Sequence, residues 1–168
     1  MYLYKEYLKI LGRYAPPVFI LENVKGLLSS KVQGSGLFAQ ILNDLRAPGE
    51  AVGQTGPQAT YKILSLARQP RGFDLNGSPL FEDGEFVIQS ERYGLPQMRH
   101  RLILMGVRED RYRPGLPTLV AHPEQICVAN VLEGLPKLRS GLSKSPDSRD
   151  AWKAAIHAFV PSIMLTGL

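Results

Sequence analysis

Apolar residues crowd together at Val18, Phe19, Ile20 and Leu21 and run directly into Glu22-Asn23-Val24. An uninterrupted β-branched and aromatic run predicts a strand buried on both faces, with a parallel sheet as its setting. Open sheets of that kind read ligands beyond the carboxyl ends of their strands. Glu22 and Asn23 stand at such an end, where they either meet a ligand or only begin a polar turn. Upstream, Leu3, Tyr7, Ile10, Leu11 and Tyr14 recur at helical spacing with Lys5, Glu6, Lys9 and Arg13 between them. That spacing predicts an amphipathic helix, and Pro16-Pro17 forbids its continuation.

Leu37, Phe38, Ile41, Leu42 and Leu45 predict a second amphipathic helix ending at Pro48-Gly49. Gly34-Ser35-Gly36, ahead of it, reads as a flexible helix entry. Residues 49–59 form a loop, Tyr61 to Leu66 a possible short strand, and Arg68 to Gly84 a polar excursion from the core. Glu85 to Gln89 alternates as a strand, Gly94-Leu95-Pro96 turns the chain, and Leu102 to Val107 is a further buried run. Together they predict a hairpin. Its connection carries Gln97, Arg99 and Arg101. Side chains two apart on an extended segment point the same way, so these three are expected to share one face. They are either a solvated shoulder of the hairpin or the lining of a site for an anionic or acceptor-rich ligand. Near the end, Trp152, Ala155, Ile156 and Phe159 mark a helix that Asp147 is placed to cap.

Composition sharpens this only in part. The chain has 168 residues, 44% of them hydrophobic, enough for one compact α/β domain with a core. No apolar run approaches a membrane span and Met1 to Tyr14 does not read as a signal peptide, so a cytoplasmic setting and no membrane partner are expected. The single cysteine, Cys127, rules out an intrachain disulfide and is expected to be a buried structural thiol in a reducing compartment. No metal site is expected. Twenty Lys and Arg against fifteen Asp and Glu give a net charge of +5, a mild preference for a polyanionic partner.

Two stretches resemble a known family. Phe19-Ile20-Leu21-Glu22-Asn23-Val24-Lys25-Gly26-Leu27 is similar to the Glu-Asn-Val motif of the DNA (cytosine-5) methyltransferases. Arg92-Tyr93-Gly94-Leu95-Pro96-Gln97-Met98-Arg99-His100-Arg101 is similar to their Gln-x-Arg-x-Arg motif. The likeness extends from about Leu3 to Arg108, with a weaker echo at Val128 to Leu138. It implies a partial Rossmann-like, S-adenosylmethionine-dependent methyltransferase fold: the second half of the sheet, a parallel strand plus a terminal hairpin. Residues 1–138 would form the partial catalytic domain, with an insertion at about 54–84. Residues 139–168 would be a helical extension towards a target-recognition region.

The resemblance also implies roles. C5 of cytosine becomes nucleophilic only after a thiolate adds at C6 of a base flipped from the duplex. Glu22 would meet N3 and the exocyclic amine, which requires desolvation around its carboxyl group. Asn23 would steady the nucleophile's loop, and Arg101 would reach O2. Gln97 and Arg99 would brace the substrate side. The family's Phe-x-Gly-x-Gly cofactor turn and its Pro-Cys nucleophile, normally upstream of the Glu-Asn-Val strand, have no match here. No residue of this chain is therefore assigned to S-adenosylmethionine, and a middle piece, inactive alone, is expected. Double-stranded DNA is the implied partner, with self-association or a complementing chain at an exposed sheet edge. The alternatives are a non-catalytic nucleic-acid-binding or complementing module, and a tRNA cytosine-5 methyltransferase relative.

Overall fold

The computed structural model describes residues 2–32, 35–136, 141–142 and 147–165. In chain order the elements are α1 (Tyr2–Tyr14), β1 (Val18–Val24), β2 (Lys31–Val32), β3 (Ser35–Gly36), α2 (Leu37–Arg46) and α3 (Pro48–Ala51). They continue with β4 (Tyr61–Ser65), β5 (Gly72–Phe73), β6 (Pro79–Leu80), β7 (Val87–Gln89), β8 (His100–Arg108), α4 (Val128–Leu132) and α5 (Arg149–Leu165). Helix and sheet are mixed, as an α/β reading requires. The chain divides into two compact units, Met1–Val131 and Leu132–Leu168.

β8 organises the first unit. It is the longest strand, and β1 runs antiparallel along one flank from Val18↔Val107 to Val24↔Arg101. The other flank is shared: β4 pairs with its second half, Tyr61↔Arg108 to Ser65↔Leu104, and β7 with its start, Val87↔Leu102 to Gln89↔His100. The hairpin expected between 85–89 and 102–107 is present, though Glu85 and Phe86 lie in a 3-10 turn before β7. The expected parallel pairing is not found among the described residues, where all paired strands are antiparallel. β1 and β4 do run in the same direction, but β8 lies between them.

β1 is likewise not buried on both faces. Phe19 is buried and Leu21 and Asn23 are half-buried, whereas Val18, Ile20 and Val24 on the alternate face are about half exposed at 48%, 50% and 54%. An edge strand has one neighbour, so an apolar run that looks like a central strand leaves one face and one edge uncovered. The tyrosine hydroxyl of Tyr7 donates to the Ile20 carbonyl at 3.0 Å, which satisfies one backbone group of that edge.

The core lies on the opposite face of the sheet. Leu8 and Leu11 of α1, Phe38, Ile41 and Leu45 of α2, and Phe19, Tyr61, Ile63, Leu102 and Leu104 of the sheet are buried in one cluster. α2 thus forms as its periodicity predicts, and Pro48 serves as the first residue of α3 rather than only a stop. α1 also forms, but with a different stripe inward. Leu8 and Leu11 are buried with Tyr4 and Tyr7 against them, while Leu3, Ile10 and Tyr14 are exposed. The apolar arc of this helix is too broad to bury at once, and contact with Phe19 selects which part turns inward. α1 ends in a left-handed alanine, Ala15 at φ 41°. Such a conformation costs a non-glycine residue roughly 1–2 kcal/mol. Ala15→Gly is expected to raise stability by about 1 kcal/mol in denaturant titrations; a lowered midpoint would contradict the assignment of strain there.

The short strand expected at Tyr61 to Leu66 is present within the stretch 54–84. It is β4, buried at each of its five positions. The ribbon of β5 and β6 then folds back over Lys62, whose ammonium donates to the Asn76 carbonyl at 3.0 Å and lies 2.9 Å from Glu109. A lysine in Tyr-Lys-Ile-Leu-Ser obscures the strand in sequence, but its charge is answered in place.

In the second unit, the α5 cap is supplied by Ser148, whose hydroxyl accepts the Ala151 N–H at 3.1 Å, one residue beyond the expected Asp147. Trp152 is half-buried and Ile156 is 38% exposed. The side chain of Phe159, and Lys137 and Leu138 of the echo at Val128 to Leu138, lie outside the described residues.

Candidate active site

The register of β1 against β8 brings the two singled-out motifs side by side. Val24 pairs with Arg101 and Glu22 with Ile103, so Glu22 and Arg101 are diagonal neighbours on one face of the sheet. The Arg101 guanidinium Nε lies 2.8 Å from Glu22 Oε1, and its Nη1 donates to the His100 carbonyl at 3.0 Å. Arg101 is largely shielded, its side chain 24% exposed, while the Glu22 side chain is 54% exposed. The desolvation expected around Glu22 is therefore not supplied by the described residues. Strand alternation sends Asn23 to the other face, where its Oδ1 accepts the Val24 N–H at 2.8 Å. A groove of about 400 Å³ runs beside the motif, between Tyr4 and Tyr7 of α1 and Ile20 to Asn23 of β1.

Of the three connection residues, only Arg101 lies on a strand. Gln97 occupies a bend and Arg99 precedes β8, both exposed, so the alternation that would align their faces does not extend to them. The connection is nonetheless fixed from below. A 3-10 turn at Ser90–Tyr93 ends in Gly94 at φ 78°, a left-handed position suited to glycine, and the His122 ring packs over that glycine. The buried Ser90 hydroxyl donates to the Arg99 carbonyl, and Glu91 Oε1 lies 2.8 Å from His100 Nε2. Sequence reasoning missed this clamp. Its only signal was a Ser-Glu pair ahead of the Tyr-Gly-x-Pro turn.

Four carboxyl groups of this unit titrate below their ordinary range. Glu85 is lowered chiefly by the Glu82 backbone N–H, then by Arg71, and Glu91 by the backbone of its own turn, then by His100. Glu109 is lowered by Thr60 and then Lys62, and Asp110 by Arg108. A lowered folded-state value adds stability that is complete above the unfolded value and is lost as pH falls through the folded one. Asp44 has the opposite sign, because burial raises it against a smaller lowering by Tyr4. Four groups against one predict a melting temperature that falls progressively below about pH 4.5, as Glu and then Asp begin to protonate. A flat profile from pH 7 to pH 3 would contradict these contacts.

Cys127 is not a buried structural thiol. It is exposed and donates its S–H to Asn130 Oδ1 at 2.7 Å, at the start of a helix whose residues are all exposed. Among the described residues no group of three or more metal-binding side chains occurs, and no helix is long and apolar enough to cross a membrane.

Comparison with known proteins points to one family for the stretch that carries Glu22 and Asn23. Residues 1–52, which include Glu22 and Asn23, match the family model of the C-5 cytosine-specific DNA methylases. The chain is 35% identical over 109 residues to the Type II methyltransferase M.BbvI of Brevibacillus brevis, which covers 65% of this chain and 21% of that protein. M.BspRI of Lysinibacillus sphaericus is 28% identical over 109 residues, covering 65% and 18%, and M.BsuRI of Bacillus subtilis 27% over 121 residues, covering 70% and 20%. The chain is similar to the C-5 cytosine-specific DNA methylases over these matched stretches. It spans about a fifth of the length of these curated methyltransferases.

The C-5 methylases use S-adenosylmethionine as methyl donor, and the glycine-containing entry to α2 does not fit that group. The nearest glycine-rich helix entry leads into α2 from the two-residue strand β3, and a side chain at Gly36 would meet open space. A phosphate- or adenosine-cradling turn needs a longer strand before it and a glycine that permits close approach. No step is assigned to the cofactor here.

Proposed function

We propose that this chain forms the base-reading half of a DNA cytosine-5 methyltransferase site. Glu22 meets N3 and the exocyclic amine of a flipped cytosine, and Arg101 meets O2. The observation that carries this reading is the 2.8 Å contact between Glu22 and Arg101 across β1 and β8, from motifs separated by some eighty residues. Both groups present hydrogen-bonding atoms on one sheet face. Addition at C6 drives negative charge onto N3 and O2. A positioned acid and a fixed guanidinium stabilise that charge at those two atoms. Base entry into the groove beside Glu22 would remove water from the carboxyl group, supplying the desolvation that the open site lacks. Asn23 holds the end of β1 from the other face, while Gln97 and Arg99 approach the substrate from the clamped connection.

The fold supports this assignment. An antiparallel strand lying between two strands of like direction suits the closing half of a Rossmann-like methyltransferase sheet. The uncovered face and edge of β1, with Val18, Ile20 and Val24 half exposed, support a second reading in which the edge pairs with a complementing chain or another copy. Incubation with labelled S-adenosylmethionine and cytosine-containing duplex DNA tests the first reading. This chain alone is expected to give no incorporation. Robust transfer that survives Cys127→Ala would overturn the division of labour. For the second, sedimentation velocity should show a concentration-dependent rise in mass, and a monomer across a hundredfold range would contradict it.

A further inference from the structure

A further cavity lies away from the Glu22–Arg101 contact. It is a cleft of about 600 Å³ with Arg68 and Arg71 on one wall and Arg92 and Tyr93 on another, Glu85 on its floor and Thr118 on a strap that crosses it. Three arginines against one glutamate leave its lining at +2. Arg71 is committed: its Nε lies 3.1 Å from both Glu85 carboxylate oxygens and its Nη1 bonds Glu82. Arg68 and Arg92 have no carboxylate within ion-pair reach among the described residues. Their backbones are nevertheless held. The Ser65 hydroxyl accepts the N–H groups of Ala67 and Arg68 at 3.0 and 3.2 Å and donates to the Glu85 carbonyl. The strap bonds both walls, from Leu119 N–H to Leu66 at 2.7 Å and from His122 N–H to Arg92 at 2.8 Å. Arg68 acts on Glu85 and Arg92 on Glu91 only at longer Coulombic range, and the two line one cleft from separately anchored segments.

The cleft also lies in a telling place. β1 and β4 run in the same direction, and Arg68 follows the carboxyl end of β4 as Glu22 approaches that of β1. Both features therefore sit off the same end of the sheet. We propose that this cleft takes the phosphodiester backbone of a DNA duplex, with Arg68 and Arg92 each on one phosphate, and so seats the strand whose base enters the Glu22–Arg101 site. Arginine suits the task because its planar fork matches two phosphate oxygens. The inference rests on the DNA-directed reading above.

The test is fluorescence anisotropy of a labelled cytosine-containing duplex titrated with the full chain at several chloride concentrations. The wild-type chain should bind with a steep salt dependence. Arg68→Gln/Arg92→Gln should reduce the slope of log affinity against log salt by about 2, close to 0.9 per phosphate contact, and weaken binding roughly tenfold or more at physiological salt. Arg68→Lys/Arg92→Lys keeps both charges and should restore most of the slope, with thermal melts of all variants checking that each is folded. A folded glutamine variant with an unchanged slope overturns the cleft as the phosphate seat but leaves the base site standing. A wild-type chain with no salt-dependent duplex binding overturns both.

Discussion

Gly106→Ala is expected to destabilise the first unit by about 3 kcal/mol, the upper end of the usual cost of overpacking. Gly106 pairs with Phe19 across β8 and β1, and a Cβ there would lie 2.1 Å from both Cε1 and Cζ of the Phe19 ring. Neither group has room to retreat. Phe19 is packed edge-on against Tyr61 at 5.0 Å and Tyr7 at 6.1 Å, and Gly106 is held in a strand paired on both sides. For a chain of this size the loss corresponds to a melting temperature lower by roughly 10 °C. Phe19→Leu alone should also destabilise, by leaving a cavity. The double variant should recover part of the Gly106→Ala loss, because the shorter side chain makes room for the methyl group. Strictly additive losses would mean that the ring does not rest on this glycine.

The second large effect concerns chemistry. In a chimaera of M.BbvI whose matching 109-residue segment is replaced by that of this chain, Glu22→Gln is expected to lower the methyl-transfer rate roughly 10²- to 10³-fold. The amide keeps the size and one acceptor of the acid but cannot share a proton with N3. Stability should change by less than about 1 kcal/mol, because the Glu22 side chain is more than half exposed and its ion pair is screened by water. A large rate loss without unfolding separates a functional carboxylate from a structural one. An unchanged rate would remove Glu22 from the mechanism.

What the sequence made legible follows from how local each signal was. α2 could be read because a single apolar stripe at helical spacing was also the buried one. α1 could be placed but not oriented, since Leu3, Ile10 and Tyr14 repeat as regularly as the residues that are buried. β4 was underweighted because Lys62 interrupts its apolar run, and the partners that make that lysine tolerable, Asn76 and Glu109, come from distant loops. β1 was read as buried on both faces because apolar content records what a strand can bury, not what is present to cover it. Cys127 was placed inside on the habits of its residue type, but it and every residue of its local helix are exposed.

The site divides in the same way. Glu22 and Arg101 stood out because each lies within a stretch of distinctive residues, and the sheet register then brought them together. Gln97 and Arg99 were read by strand alternation in a segment that bends, so their spacing carried no geometry. Arg68 had no local mark, and Arg92 stood at the start of the second motif stretch with no role of its own. Only the meeting of the β4 exit, the Ser90–Tyr93 turn and the strap makes them neighbours across one cleft. The Glu91–His100 clamp was equally hidden, since its partners look like ordinary charged residues on either side of a turn.

The central claim is that the acid and the guanidinium act on the same base, and a double-mutant cycle on methyl transfer measures that most directly. In the M.BbvI chimaera, Glu22→Gln, Arg101→Met and the pair together are compared in single-turnover reactions on one duplex, after transfer by the unaltered chimaera is established. The account predicts strong non-additivity, with the double variant little slower than the worse single one, because losing either group already leaves the charge on the ring unbalanced. Rate losses that simply multiply, or a single variant that transfers at the unaltered rate, would contradict it.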